Sequence, residues 1–290
     1  MRPIRTSSRR VDPRHGGVLV IVLLAVALLT SLVLSAATAV RLRWKLADDT
    51  LRRAEARDAA MSAIALAQYV LAADTNDIDH LDEPWADALQ TADIQLTDEE
   101  SRIPLLQADS ALLTALFTQL AGLPPRTAAT LAESTLAWRA ALQSPPAAFE
   151  CYAAVPGIDD GILARLQPFT TLHGLGKVNL NTVDDSLLAV LLTAQGATPE
   201  TTEILRAGLR RARRRGVTVT EVGPVALAAL LLGENRIPGP SEEAAIAAIA
   251  PLLNIRSTTF RGTTRQNSDT APGIEFLYDR TSGKFLRWVE

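Results

Sequence analysis

The chain has 290 residues, 48% hydrophobic and 21% charged, which is enough apolar material for two or three small packed domains and excludes a disordered chain. Aromatic residues make up only 4% while alanine and leucine abound, so helix-rich packing with modest sheet is expected. The formal net charge of -3 is unevenly spread, because Arg2, Arg5, Arg9, Arg10 and Arg14 stand against Asp12 ahead of the first apolar run and leave an acidic body behind it. The single cysteine, Cys151, excludes an intrachain disulfide, and its neighbours Phe149 and Tyr152 predict a packing role rather than a reactive one.

Residues 18 to 40 read VLVIVLLAVALLTSLVLSAATAV, 23 residues without a charge and long enough to span a bilayer core. The arginines ahead of this run place residues 1 to 17 in the cytoplasm and everything after about residue 41 outside, an asymmetry slightly weakened by Arg41, Arg43 and Lys45. A secretory signal would have a shorter apolar core and a small-residue cleavage site. Here the helical pattern continues instead: Ala47, Leu51, Ala54, Met61, Ala65 and Gln68 recur near the helical period, broken at Asp58, and neither Gly nor Pro interrupts residues 18 to 73. A helix of that length would reach about 84 Å at 1.5 Å per residue. The expectation is a transmembrane helix over 18–40 that continues as a stalk over 41–73, with one face of the stalk packed on a head.

Residues 74–101 begin with the acidic stretch from Asp74 to Pro84, expected to be a solvated loop. An EF-hand is excluded there, since Asp79 takes the place of its glycine and Trp85 that of its final glutamate. Ala92 to Thr97 alternates like a half-buried strand, and Asp98-Glu99-Glu100-Ser101 closes it with a turn. A repeat follows. Leu105/Leu180, Asp109/Asp184, Leu112/Leu187, Leu113/Leu188 and Leu116/Leu191 match at an offset of 75, and Pro125/Pro199, Thr127/Thr201, Leu131/Leu205 and Arg139/Arg213 at an offset of 74. This implies two helical units of common design, over 102–168 and 169–255. In each, an Asp stands where it can cap a helix whose leucines share one face. Over 256–290, Ile274, Phe276 and Tyr278 alternate, Asp279 to Gly283 turns, and Lys284 to Val289 alternates again as a hairpin. The expected fold class is α+β, a long N-terminal helix on a small antiparallel sheet interrupted by a large α-helical insertion.

Catalytic chemistry finds little support. His15, His80 and His173 are the histidines, no ligand spacing suggests zinc, and Gly174-Leu175-Gly176-Lys177 lacks a phosphate loop's requirements at Thr171 and Val178. Neither an enzyme nor a cofactor is expected. Arg210, Arg211, Arg213, Arg214 and Arg215 cluster at a helix end and raise the alternative of a membrane-anchored helix-hairpin-helix protein that binds nucleic acid. The turns in question, Gly157-Ile158-Asp159 and Gly196-Ala197-Thr198, lack the Gly-apolar-Gly form, and Asp159 and Asp160 would repel phosphate. Cations that complement a helix C-terminus are the expected reading of the cluster.

A basic leader ending in Arg14-His15-Gly16-Gly17, followed by an apolar helix with an amphipathic extension, resembles the type IV pilins and type II secretion pseudopilins. By that resemblance a prepilin peptidase would cut after Gly17 and leave Val18 as a methylated N-terminus. Most of that class carries Glu at the fifth mature position, where this chain has Val22, and the K-type minor pseudopilins lack that Glu. Glu83-Pro84-Trp85-Ala86 and the segment from Phe149 to Ile158, with its Val155-Pro156-Gly157-Ile158, are similar to stretches of the K-type family. Gly176 to Thr182, with Asn179, Asn181 and Thr182, resembles that family's SAM-like or helix-hairpin-helix modules. The acidic stretch with which the family can help bind calcium is replaced by Ala137-Trp138-Arg139-Ala140, so no metal site is carried over.

The resemblance runs in order from the leader to about residue 255. It implies a pilin-like sheet and two SAM-like helical units. It also implies a structural subunit at the tip of a periplasmic pseudopilus in the inner membrane of a Gram-negative bacterium, serving export of folded proteins across the outer membrane. Its implied partners are the I-type and J-type minor pseudopilins, the prepilin peptidase, the inner-membrane assembly platform and membrane lipid, with no nucleic acid.

Overall fold

The computed structural model describes residues 13–80, Glu83, Ala86, Leu89, 94–233, 236–264 and 273–289, with side chains from Gly17 onward. Arg2, Arg5, Arg9, Arg10, Asp12, Pro84 and Trp85 lie outside the described residues, as do the side chains of Arg14 and His15. Helix α1 runs unbroken from Pro13 to Ala73. The hydroxyls of Thr30, Thr38 and Thr50 donate back to the carbonyls of Val26, Leu34 and Leu46, so these three hydroxyls are satisfied within the helix. Among the described residues it is the one helix long and apolar enough to cross a membrane. The described residues up to Ala59 form one unit and those from Ala60 onward another.

In the second unit, β1 (Ile94–Asp98) is followed by β2 (Ile103–Pro104), α2 (Ser110–Gln119), α3 (Pro125–Ala141), α4 (Asp160–Leu166), β3 (Thr170–Thr171) and β4 (Val178–Asn179). Then come α5 (Asp185–Ala194), α6 (Pro199–Arg214), α7 (Pro224–Leu232), α8 (Pro240–Ile249), β5 (Leu253–Asn254), β6 (Thr259–Thr264), β7 (Glu275–Asp279) and β8 (Lys284–Val289). Strands β1, β6, β7 and β8 form an antiparallel sheet in that order, with Asp98 opposite Phe260 and Phe276 opposite Gly262. All the other elements from β2 to β5 are inserted between β1 and β6.

Ala60, Ile64, Ala67 and Leu71 of α1 bury against Leu89, Ile94, Phe260, Phe276 and Tyr278. This is not the stripe expected from the sequence, since Met61 and Ala65 are exposed and Gln68 is only half-buried. The helix is apolar on more than one side here, so its period alone does not choose the face. Gly262 has a steric role, because a Cβ there would stand 2.0 Å from Cζ of Phe276, which lies across the bare backbone. The hairpin β7–β8 turns as expected at Asp279, which accepts from the Thr281 N–H and the Ser282 hydroxyl, with Gly283 at φ 67°.

The insertion contains the repeat in three dimensions. Ile103 and Pro104 pair in parallel with Thr170 and Thr171, and Val178 and Asn179 pair in parallel with Leu253 and Asn254. Leu105 and Leu180, matched in sequence, extend these pairs by donating to the carbonyls of Thr171 and Asn254. Asp109 caps α2 by accepting from the Leu112 N–H, and Asp184 caps α5 by accepting from Ser186. Arg139 in α3 donates one guanidinium nitrogen to the carbonyls of both Leu105 and Ala108. Its counterpart Arg213 in α6 does the same to Leu180 and Val183. Each arginine thus satisfies carbonyls where the chain leaves a strand for a helix. Leu113, Leu116, Leu188 and Leu191 are fully buried in one core shared by the two halves, and each such side chain stabilises by roughly 1.5–3 kcal/mol.

Cys151 is exposed rather than part of that core. The 3-10 turn Phe149–Ala154 sends Tyr152 inward instead, onto Trp138 with ring centroids 4.9 Å apart.

Candidate functional site

Two regions hold the residues singled out by sequence. In the first unit, Gly17, Val18 and Val22 lie in α1, and the valine side chains are 62% and 52% exposed, as are their apolar neighbours along this stretch. The surface carries no charge from Val18 to Val40, and no carboxylate occurs from Gly17 until Asp48.

In the second unit the polar residues converge where the sheet meets the insertion. Asp98 ends β1 and caps the 3-10 turn that carries Glu99 and Glu100, and all three are buried. Asp98 accepts from Asn179 at 3.0 Å, from Ser257 at 2.7 Å, from the Thr182 hydroxyl and from the Glu100 N–H. Burial pushes its carboxyl up to about 6, against the pull of the Thr182 and Ser257 hydroxyls. Glu99, fully buried, receives two guanidinium nitrogens of Arg261 at 2.9 and 2.7 Å and the Thr171 hydroxyl at 2.6 Å. Burial alone would raise the Glu99 carboxyl, but the hydrogen bonds and charge of Arg261 hold it below its ordinary value. Glu100 takes Thr258 through its N–H and hydroxyl and Asn254 through its side-chain amide. Three consecutive acids therefore clasp β3, β4, β5 and β6 to the end of β1. The expected turn is present, but its acids are interior because each has a partner far along the chain.

The sequence motif at the start of the second helical unit belongs to this clasp. Asn179 Nδ2 donates to Asp98, to Ser257 and to the carbonyl of Asp79, while its Oδ1 accepts from the Asn181 N–H. Thr182 reaches the same Asp98 oxygen. Asn181 turns the other way, to the backbone of Val219. The acidic loop is likewise partly interior rather than solvated. Asp79 accepts from Arg280 at 2.7 and 3.1 Å and from the Ser257 N–H, and Arg280 also donates to Asp74 at 3.1 Å. Carboxylate oxygens of Asp74, Asp79 and Glu83 lie within 4.8 Å of one another, a spacing suited to a cation. The guanidinium of Arg280, stacked 4.7 Å from the Phe260 ring, supplies positive charge at two of the three.

The arginine cluster divides. Arg210 pairs with Asp185 and Glu203, Arg211 donates to the Leu231 carbonyl, and Arg213 serves the repeat, leaving Arg214 and Arg215 at the surface. The hairpin turns are occupied by caps, Asp159 accepting from the Ile162 N–H and Thr198 from the Thr201 N–H.

These features define a class of protein: a helix able to cross a membrane, and a four-stranded antiparallel head whose sheet is interrupted by two helical units. No protein-family model matches the sequence, and no curated protein matches it. Among solved structures, the crystal structure of the GspK–GspI–GspJ complex from the enterotoxigenic Escherichia coli type 2 secretion system contains a similar chain, at a TM-score of 0.57 and 19% identity, over 86% of this chain and 98% of that one. The fold is that of GspK, the K-type component of that complex.

Proposed function

We propose that the chain is the K-type minor pseudopilin of a type II secretion system, a structural subunit rather than an enzyme. Residues 18 to 40 would hold it in the inner membrane as a single span, with the N-terminus cytoplasmic and the head periplasmic. With I-type and J-type minor pseudopilins it would sit at the pseudopilus tip and start assembly on the inner-membrane platform, for export of folded proteins across the outer membrane. The observation that carries this reading is the likeness in fold to GspK over 86% of this chain, a span that leaves room for both the sheet and the helical insertion between β1 and β6.

Val22 supports the position at the tip. A carboxylate in lipid is costly unless paired, and in this class the Glu at that position meets the N-terminus of a neighbour. A subunit with Val22 makes no such demand on a subunit above it, yet its own Val18 amine is available to one below. Co-purification of the full chain with I-type and J-type minor pseudopilins, and a single terminal label on sheared pseudopili, are the expected results. A copy number near that of the major subunit along the shaft would refute the placement.

Processing gives a separate expected result. Protein recovered from cells begins at Val18 with a methylated amine, as mass spectrometry of the N-terminal peptide would show. Retention of Met1, or cleavage between Ala36 and Ala39, would point to an ordinary anchor or signal instead.

A further inference from the structure

We propose that the groove between residues 217–221 and α7 takes up an extended, acidic segment of a partner polypeptide as an added β-strand. The starting observation is Asn181, whose side-chain amide accepts from the N–H of Val219 at 2.8 Å and donates to its carbonyl at 3.1 Å. The N–H and C=O of one residue face the same way where the backbone is extended, so Asn181 stands in for a neighbouring strand along one edge of this segment. The backbone groups of the flanking Thr218 and Thr220 then face the opposite edge, and they make no hydrogen bond among the described residues. Two such residues on an open edge are what strand addition uses.

The open edge borders a cleft of about 660 Å³. Ala226, Ala229 and Leu230, one stripe of α7, form its apolar wall, and Arg211 and Arg215 stand on its rim against a single described carboxylate, Glu221. Arg214 is exposed beside them, and Arg211 is only partly engaged, at 3.3 Å from the Leu231 carbonyl. In a body that is otherwise acidic this is a basic patch, and it selects a strand with carboxylates on one face and apolar side chains on the other. Duplex DNA fits less well, since a deoxyribose-phosphate chain brings acceptors to phosphate-facing arginines but no donors for the Thr218 and Thr220 carbonyls. This inference goes beyond the assembly reading and stands without it.

The test uses the full chain in detergent micelles and four fluorescent probes: a short peptide of alternating Asp and Val, its Lys and Val counterpart, the acidic peptide N-methylated along one edge, and a duplex oligonucleotide. The acidic peptide is expected to bind, about tenfold more weakly to an Arg211→Ala, Arg215→Ala double variant, and not at all once N-methylated. Thr218→Val, which keeps the backbone, should leave binding unchanged. Equal binding of the Lys peptide, no peptide binding up to millimolar concentration, or an oligonucleotide that binds through the same arginines in place of the peptides would each overturn the proposal.

Discussion

Gly208→Ala is expected to destabilise the head by roughly 3 kcal/mol, the upper range for forced overpacking in a close-packed interior. Gly208 lies in the buried face of α6, and a Cβ on it would stand 1.8 Å from the carbonyl oxygen of Leu231 and 2.6 Å from the carbonyl carbon. Both atoms are backbone, so no rotamer change relieves the clash. Helix propensity works the other way, favouring alanine by about 1 kcal/mol, and is outweighed. The close approach also lets Arg211 donate to that same carbonyl, one of those a helix end leaves without an intrahelical partner. Thermal unfolding of the full chain in micelles should show a midpoint lower by about 6–12 °C for a body of this size. Gly196→Ala makes a useful comparison, because that site has open space and its cost comes from φ 80° alone. An unchanged midpoint for Gly208→Ala would mean that α6 and α7 are not packed this closely.

The second large effect is a pH dependence centred on Asp98. Its carboxyl is pushed from 3.8 up to about 6 by burial, so the folded head holds this proton more tightly than the unfolded chain does. The stabilisation is therefore full below about pH 4 and is lost as pH rises through about 6, a fall on the order of 3 kcal/mol at about 1.4 kcal/mol per pH unit. Glu99 acts in the opposite sense. Held below its ordinary value, it contributes stability at neutral pH that is lost as the solution becomes acid. Asp98→Asn should be less stable throughout, since the single oxygen of an amide cannot accept all four hydrogen bonds that the two oxygens of Asp98 accept, but its stability should no longer decline between pH 4 and 6. Denaturant titrations of both forms across that range decide it, and parallel curves would refute the assignment.

Much of the architecture was legible because its signals are local. Asp109 and Asp184 are caps a few residues from what they cap, and the leucines of α2 and α5 repeat at the helical period, so an offset of 75 exposes the kinship of the two units. The pairing Arg139/Arg213 was visible as an identity, but its meaning was not: the carbonyls it serves lie about 30 residues upstream. The clasp was hidden for the same reason. Glu99 and Arg261 are separated by 162 positions and Glu100 and Thr258 by 158, and a run of three acids reads locally as a solvated turn. Two-residue strands such as β2 and β4 carry no period. Cys151 and the buried face of α1 were misread where apolar residues occur on adjacent faces and only packing selects between them.

The position of the insertion also orders the folding of the head. Asp98 pairs with Phe260 across some 160 intervening residues, and closing so long a flexible loop before anything in it is structured carries a heavy entropic cost. Once the two helical units have condensed, their first and last strands already lie side by side, and Glu100 and Thr258 are within bonding distance. The distance that β1 and β6 must search is then set by a few residues rather than by the whole insertion. Helical units before sheet is the sequence of events this topology favours, which makes the insertion a folding scaffold for the very strands it interrupts.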